Sequence, residues 1–365
     1  MDRPTGVALV TVFLTGFPGF LGSALIERLL DRDRRVACLV QPKYREEAGR
    51  RAAELAGEDD EIRLYEGDIT ESDLGLDADD RTELQSECTE AFHLAAVYDL
   101  GVSRAVGEAV NVDGTEHVLD FVEGFDDLQR LHYVSTCYVS GRHDGVFAED
   151  DLDVGQTFNN HYEATKFEAE VAVQERMAAG IPATIYRPAI VVGDSETGRT
   201  EKYDGPYYLL KFLLDQPGVA ALPRPPGAGD CEINVVPRDY VVDAIDHLSA
   251  LEASEGEVYQ LCDPNPPTVA EMTDALAAAA GTRVLSVPAP KRPVKRALAW
   301  QPVRRWTGIE PAVLDYFDHP TRYVGPRARE HLAGTGIAPP PFESYVEAMA
   351  RFVRGHPEIG SDARA

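Results

Sequence analysis

Short apolar runs alternate with amphipathic stretches through the first half of the chain. Runs of consecutive apolar residues predict buried strands, and apolar residues recurring every three or four positions predict helices. The predicted strands are Val7–Thr15, Arg35–Val40, Glu61–Glu66, Ala91–Leu94, Leu131–Ser135 and Pro182–Tyr186, and the predicted helices are Phe20–Asp31, Tyr44–Ala56, Val110–Val122 and Tyr162–Ala179. Alternation at this spacing implies parallel strands joined by right-handed crossovers. The predicted fold class is therefore α/β, with a doubly wound parallel sheet.

The alternation stops after Arg187 and Pro188. Residues 193–235 are rich in glycine, proline and aromatic residues around one predicted helix, Tyr207–Leu214. Residues 238–262 return to a helix and a strand, and helices are predicted near 268–280 and 342–354. We therefore predict a sheet domain over 1–192 that 236–262 rejoins, and a smaller, interleaved C-terminal domain built from 193–235 and 263–365.

The charge balance of the chain is extreme. Of its 365 residues, 62 are acidic and 35 are basic, which gives a net charge of -27. An acidic, lysine-poor surface is typical of proteins from concentrated salt, where screening relieves the self-repulsion. We expect a halophilic host, and the same charge argues against nucleic acid as a partner.

The remaining composition indicates a protein of the cytoplasm. Five cysteines are scattered without a Cys-x-x-Cys pair, so we expect reduced thiols. No uninterrupted apolar run is long enough to span a membrane. No cluster has metal-ligand spacing, and His93, within a strand, is predicted to be a core histidine. A homodimer is left open.

A glycine motif separates the first predicted strand from the first helix. The sequence TGFPGFLG covers residues 15–22. Glycines at this point permit a tight turn and let the backbone approach a pyrophosphate at a helix N-terminus. The predicted dinucleotide-binding residues in this motif are Gly16, Phe17, Gly19, Phe20, Leu21 and Gly22.

The second predicted strand ends without the carboxylate that usually binds the adenosine ribose of NAD. Gln41 stands there, followed by Lys43 and Arg45. A 2′-phosphate would fit beside these cations better than a ribose diol would. The sequence therefore favours NADP over NAD, with Gln41 and Lys43 as cofactor-binding residues. The alternative is that both cations are simply solvated.

Tyr162 and Lys166 lie four residues apart on a predicted helix and so share one face. An ammonium beside a phenol favours the phenolate, which suits a tyrosine that exchanges a proton with an oxyanion or an alcohol. Thr136, 26 residues earlier, ends a predicted strand. Chance Tyr-x-x-x-Lys pairs are common, so this spacing alone decides little.

Seven segments together resemble the extended short-chain dehydrogenase/reductase family, over most of the chain. They are TGFPGFLG, GDIT (67–70), HLAAVYD (93–99), NVDGT (111–115), YVSTCYVSG (133–141), YEATK (162–166) and RPAIVVGDS (187–195). The resemblance implies a Rossmann fold, an NAD(P) cofactor and a substrate-binding C-terminal portion. It implies catalytic roles for Thr136, with Ser135 as the weaker candidate, and for Tyr162, Lys166 and Asn111. It also implies cofactor contacts from Asp68, Ile69, Ala95, Ala96, Tyr162, Lys166, Pro188 and Ile190.

Residues 193–214 and 233–245 resemble the fatty acyl-CoA reductase (male-sterility) and thioester-reductase branch of that family. This branch often has arginine where Gln41 stands, which weakens the argument for NADP. The resemblance implies a small-molecule substrate, an acyl thioester or a derived carbonyl, with helix Tyr207–Leu214 lining an acyl pocket or serving only as a core helix. The alternatives are a nucleotide-sugar epimerase or dehydratase, a hydroxysteroid-type dehydrogenase, and a non-catalytic cofactor-sensing regulator.

The segment 288–309 carries six cations, no acidic residue and both tryptophans. Its cations are Lys291, Arg292, Lys295, Arg296, Arg304 and Arg305. Such a strip suits an anionic head with an apolar tail, such as a coenzyme A ester, or peripheral contact with an anionic membrane. The alternative is a helix whose cations pair with the acidic body of the protein.

Overall fold

A computed structural model of the chain describes residues 10–57, 61–224, 231–303 and 311–360. Its strands are β1 (Thr11–Thr15), β2 (Arg35–Val40), β3 (Ile62–Glu66), β4 (Cys88–His93), β5 (Arg130–Val134), β6 (Gly145–Phe147), β7 (Ala183–Pro188), β8 (Ile190–Val192), β9 (Val219–Arg224), β10 (Val235–Pro237), β11 (Val258–Leu261), β12 (Arg283–Pro288) and β13 (Thr321–Tyr323). Its helices are α1 (Phe20–Asp31), α2 (Arg45–Leu55), α3 (Ala78–Glu87), α4 (Arg104–Gly107), α5 (Gly114–Glu123), α6 (His161–Ala178), α7 (Pro206–Leu214), α8 (Arg238–Ser249), α9 (Val269–Ala280), α10 (Lys291–Ala299), α11 (Pro326–His331) and α12 (Phe342–Gly355).

Seven parallel strands form the central sheet, in the order β11-β7-β5-β4-β1-β2-β3. Thr15 at the end of β1 is level with Leu39 of β2 and His93 of β4. The chain winds outward in one direction through β2 and β3 and in the other from β4, so a crevice opens beyond the carboxyl ends of β1 and β4. Apolar cores lie against both faces of the sheet. The predicted doubly wound Rossmann fold is confirmed.

A third apolar core lies outside the sheet. It contains Tyr207, Leu210 and Leu213 of α7 together with residues of α9 and α12. Three short parallel strand pairs, β8–β10, β9–β12 and β6–β13, join segments that are far apart in the sequence. The division into a domain of 1–192 with 236–262 and a portion of 193–235 with 263–365 stays a prediction. Among the described helices, none is both long and apolar enough to cross a membrane.

Most predicted elements of the first half fall within a few residues of the observed ones. Helix Phe20–Asp31 and strand Arg35–Val40 have the predicted bounds. The helix predicted over Val110–Val122 is instead a wide π-helical turn, Glu108–Asp113, followed by α5.

A buried ion pair joins the middle of α6 to β7. The side chains of Arg187 and Glu170 are both 0% exposed, and Nη2 of Arg187 lies 2.6 Å from Oε1 of Glu170. Nε of Arg187 also donates to Glu170, and Gln174 donates to it at 3.0 Å. The hydroxyl of Ser135 at the end of β5 donates to the same carboxylate. One carboxylate therefore holds α6, β5 and β7 together.

We expect Glu170→Gln and Arg187→Met each to lower the free energy of unfolding by about 3–5 kcal/mol, because each leaves its partner charged, buried and unpaired. Urea denaturation at fixed salt concentration measures the change.

Arg176→Met is the matched control, on the same helix. Arg176 pairs with Asp120 and Glu123, whose side chains are 63% and 43% exposed, so its loss should cost less than about 1 kcal/mol. Equal costs at the two sites would show that burial of the Arg187–Glu170 pair carries no special weight.

Candidate active site

A cleft of about 550 Å³ opens at the carboxyl ends of the central strands. Nearly all the residues proposed from the sequence line it: Gly16, Phe17, Gly19, Phe20, Leu21, Gly22, Gln41, Lys43, Ile69, Ala95, Ala96, Thr136, Tyr162, Lys166, Pro188 and Ile190. Asp68 and Asn111 are not among the lining residues. The structure thus brings together segments that are up to 174 positions apart, from Gly16 to Ile190.

The glycine loop is shaped to leave room for a ligand. Gly16 has φ of +96°, a conformation that side chains disfavour. A Cβ on Gly22 would lie 2.5 Å from the backbone oxygen of Gly16. The first backbone N–H groups of α1 have no intrahelical acceptor, and its first turn carries no acidic side chain. A dinucleotide pyrophosphate fits this cradle, at the positive end of the helix dipole.

Tyr162 and Thr136 meet at the floor of the cleft. Tyr162 lies in the first turn of α6, which Asn160 caps by accepting a hydrogen bond from the N–H of Glu163. Thr136 follows β5, and its hydroxyl lies 3.4 Å from the carbonyl oxygen of Pro188. Burial raises the pKa of Tyr162, and a hydrogen bond with Thr136 offsets part of that rise. The phenol is therefore protonated and able to donate.

Lys166 lies one turn after Tyr162 and is 3% exposed. Its Nζ donates to the hydroxyl of Tyr133 at 2.8 Å and to the carbonyl oxygen of Val134 at 3.0 Å. Burial lowers the pKa of Lys166 to about 7, and the nearby charge of Glu170 acts in the opposite direction. The lysine is thus held in place by β5 and sensitive to charge in the cleft.

Ser135 and Thr136 differ in what their hydroxyls bind. Both side chains are 6% exposed. The hydroxyl of Ser135 is committed to Glu170 of the buried ion pair, whereas that of Thr136 lies beside Tyr162. This difference favours Thr136 as the residue that would contact a substrate oxygen.

Asp68 acts on the cleft through a neighbour. Its Oδ2 accepts a hydrogen bond of 2.7 Å from Nε2 of Gln41, and its Oδ1 accepts hydrogen bonds from the backbone N–H and hydroxyl of Thr70. Gln41 lines the cleft and Asp68 does not. In this arrangement Asp68 fixes the orientation of the Gln41 amide.

Asn111 lies in the π-helical turn and is 1% exposed. Its Oδ1 accepts a hydrogen bond of 2.9 Å from the N–H of Val97, and its Nδ2 donates to the hydroxyl of Thr165 at 3.0 Å. These bonds join the loop after β4 to the helix that carries Tyr162. The geometry gives Asn111 a positioning role, since its side chain is not part of the cleft wall.

His93 and Cys137 are buried in the sheet and its margin. The ring of His93 bonds the hydroxyls of Thr15 and Thr115, and burial lowers its pKa to about 3. Burial raises the pKa of the Cys137 thiol, which donates to the carbonyl oxygen of Arg187. Within the described ranges, no group of three histidine, cysteine or acidic side chains could hold a metal ion.

A smaller apolar pocket of about 50 Å³ adjoins the cleft. Its lining residues are Tyr98, Leu100, Tyr138, Tyr162, Ile190, Gly205, Pro206, Leu209, Ile233, Met272, Tyr316 and Phe317. Helix α7 both lines this pocket, through Pro206 and Leu209, and packs in the core, through Tyr207, Leu210 and Leu213. That the pocket holds an acyl chain stays a prediction. Tyr162 lines both cavities.

Several residues of the two cavities were missed by the sequence reasoning. Tyr98, Tyr138, Lys202 and Asp204 lie in the cleft wall. The aromatic character of residues 203–208 is visible in the sequence, but only the fold shows that this segment meets the loop after β4. The scarcity of lysine was a usable signal, since Lys202 is one of six in the chain.

The basic segment divides into paired and exposed residues. Lys291 pairs with Asp315 and Asp318, and Lys295 pairs with Asp315, so these two cations bind the acidic body of the protein. Trp300 is 65% exposed. Arg304, Arg305 and Trp306 lie outside the described residues, and the predicted contact of this segment with an anionic ligand or membrane stays a prediction.

Known proteins resemble the chain in both sequence and fold. It is 30% identical over 266 residues to a component of the linear gramicidin synthase of Brevibacillus parabrevis, a match that covers 69% of this chain and 5% of that protein. It is 26% identical over 277 residues to the fatty acyl-CoA reductase wat of Drosophila melanogaster, covering 64% of this chain and 53% of that protein. The chain thus spans only part of the length of these relatives.

A solved structure and a family model agree with these matches. The terminal R domain from the myxalamid PKS-NRPS biosynthetic pathway superposes with a TM-score of 0.80, at 27% identity, covering 98% of this chain and 94% of that one. The family model described as male sterility protein matches residues 14–245, more than half of the chain. The resemblance seen in the sequence is therefore confirmed: the chain belongs to the male sterility protein family of NAD(P)-dependent reductases, within the extended short-chain dehydrogenases/reductases.

Proposed function

We propose that the chain reduces an acyl thioester, or the aldehyde derived from it, with Thr136, Tyr162 and Lys166 as its catalytic residues. The observation that carries this proposal is the position of Tyr162 in the wall shared by the cofactor cleft and the apolar pocket. A carbonyl carbon at this junction would face the cofactor on one side and keep its acyl chain in the pocket on the other.

Each of the three side chains has a distinct task. A bound nicotinamide supplies the hydride. The hydroxyl of Tyr162 donates a proton to the carbonyl oxygen as negative charge develops there. The hydroxyl of Thr136 donates a hydrogen bond to the same oxygen. The ammonium of Lys166 binds the nicotinamide ribose and stabilises the phenolate that Tyr162 becomes.

The pocket supports an acyl substrate over a nucleotide sugar. Its described lining carries no charged side chain, whereas a sugar nucleotide needs groups that bind its phosphates. The Drosophila relative is named a fatty acyl-CoA reductase, and the matched solved structure is an R domain, so both similarities also favour an acyl substrate. A cofactor-sensing regulator has less support, because such proteins lack the tyrosine–lysine pair.

NADP is the proposed cofactor. Gln41, Lys43 and Tyr44 line the adenosine end of the cleft, after β2. Nζ of Lys43 lies 5.0 Å from the centre of the Tyr44 ring. Arg45 instead pairs with Glu66 at 3.3 Å, outside the lining. Lys43 is therefore the cation proposed to meet a 2′-phosphate.

Replacing Tyr162 by Phe should lower kcat by about two to four orders of magnitude, because it removes the general acid and leaves the ring in place. NADPH oxidation with a series of acyl-CoAs and aldehydes measures the loss. The dissociation constant of NADPH and the melting temperature serve as controls and should change little. A variant with the wild-type rate would refute the catalytic assignment.

NADPH should bind more tightly than NADH, and Lys43→Glu should narrow or reverse the difference, since it replaces an attractive charge by a repulsive one. Arg45→Glu is the matched control at an adjacent site outside the cleft and should preserve the preference. Fluorescence titration of both cofactors gives the ratio of NADPH to NADH affinity for the wild type and for each of the two variants. Equal wild-type affinities that neither variant alters would rule out the NADP assignment.

We also propose a halophilic protein that folds in about molar salt, where the Debye length falls to about 3 Å and screens the net charge of -27. Melting temperature and activity should rise together with sodium chloride. Sucrose at matched osmolality should not replace the salt, because it does not screen charge. Full activity and an unchanged melting temperature in dilute buffer would contradict this expectation.

A further inference from the structure

One cation in the cleft has no task in the proposed reaction. Of the described residues that line the two cavities, the basic ones are Lys43, Lys166 and Lys202. Lys43 lies at the adenosine end, and Lys166 is the partner of Tyr162. Lys202 lines the cleft three residues before Gly205, which, with Pro206 and Leu209, lines the adjoining apolar pocket.

The ammonium of Lys202 is fixed beside Tyr98, which in turn contacts Tyr162. Its Nζ lies 3.2 Å from Oδ2 of Asp204 and donates to the carbonyl oxygen of Tyr98, also at 3.2 Å. It lies 5.1 Å from the centre of the Tyr98 ring. That ring in turn meets the ring of Tyr162 edge-on, with 5.0 Å between the centres.

This ammonium retains a hydrogen-bond donor for a ligand. An ammonium group has three N–H donors, and Asp204 and Tyr98 account for two of them. Within the described ranges, no acceptor binds the third. The side chains of Lys202 and Asp204 are only 22% and 20% exposed, so the charge is partly shielded from water and acts strongly on its neighbours.

Thioester reduction creates a charge that aldehyde reduction does not. Addition of hydride and a proton to the thioester carbonyl gives a hemithioacetal. When this species collapses, Tyr162 takes back the hydroxyl proton, the carbon–sulfur bond breaks, and the sulfur leaves with the bonding electrons as a thiolate. An anion released beside an apolar pocket is costly unless a cation or a hydrogen-bond donor meets it.

We propose that the ammonium of Lys202, held by Asp204 and the backbone of Tyr98, receives the leaving thiolate through a hydrogen bond to the sulfur. This inference rests on the proposed thioester reduction. The thiolate takes a proton from water after it leaves the cleft, so Lys202 ends the cycle as an ammonium. Aldehyde reduction has no leaving group and does not need Lys202.

The test compares the two substrate classes in the same variant. Lys202→Met should slow single-turnover release of thiol from octanoyl-CoA by about 100-fold, the usual effect of removing one donor from a developing charge. A thiol-reactive dye measures the release. Reduction of octanal by the same variant should stay close to the wild-type rate.

Two further comparisons separate a role in catalysis from a structural one. Lys202→Arg keeps the charge and the donors and should restore most of the rate. The loss in Lys202→Met should shrink with the S-phenyl thioester of octanoic acid, whose thiolate is a weaker base and leaves more readily. Lys211→Met is the matched control, since Lys211 lies over the ring of Tyr203 and lines neither cavity.

The outcomes distinguish this inference from the proposed function. If the wild-type protein reduces neither octanoyl-CoA nor octanal, nor any other acyl-CoA or aldehyde tried, the proposed function fails. If it reduces both and Lys202→Met slows both equally, Lys202 is structural and the inference is overturned. An unchanged rate of thiol release in Lys202→Met overturns it as well. A loss confined to thioesters, smaller with the S-phenyl ester and restored by arginine, supports it.

Discussion

The Arg187–Glu170 ion pair fixes the geometry of the proposed catalytic residues. Three members of its network are near neighbours, along the chain, of residues in the cleft. Ser135 precedes Thr136, Arg187 precedes Pro188, and Glu170 lies one helical turn after Lys166. Because the pair has no access to water, its charges must stay together. The constraint on α6, β5 and β7 therefore also restrains Tyr162, Thr136 and Pro188, which line the cleft.

The same carboxylate also influences the chemistry of the cleft. Burial lowers the pKa of Lys166 to about 7, and the charge of nearby Glu170 opposes this shift. Tyr162 experiences the opposite balance, with burial keeping its proton and Thr136 easing its release. Lys166 therefore loses its proton readily, and Tyr162 keeps its own. The protonation of both residues then depends on the charge that a cofactor and a substrate bring into the cleft.

The sequence allowed the fold and the cofactor cleft to be predicted because both depend on local signals. The glycine loop and Tyr162–Lys166 each lie within eight residues, and strand–helix alternation determines how the chain winds. The apolar pocket was not predictable in this way. Leu100, Ile233 and Tyr316 come from three separate segments whose meeting depends on long-range packing. Motifs identify the positions of Asp68 and Asn111, but they do not tell whether a side chain faces the cleft. In the structure both side chains support a neighbour instead.

The apolar pocket cannot be exchanged between relatives by a single crossover, because its residues come from many separated segments. The wall is contributed by the loop after β4, the turn after β5, α6, β8, α7, the segment before β10, α9 and the turn at Pro311–Asp318. Strand β11, between two of these contributions, belongs to the central sheet. A chimera with a single crossover after β7 would therefore exchange an outer strand of the sheet together with most of the pocket, and would still retain Tyr98, Leu100, Tyr138 and Tyr162 from the original parent. Transferring the substrate preference of one relative to another therefore requires several junctions, because no single exchanged segment carries the whole pocket.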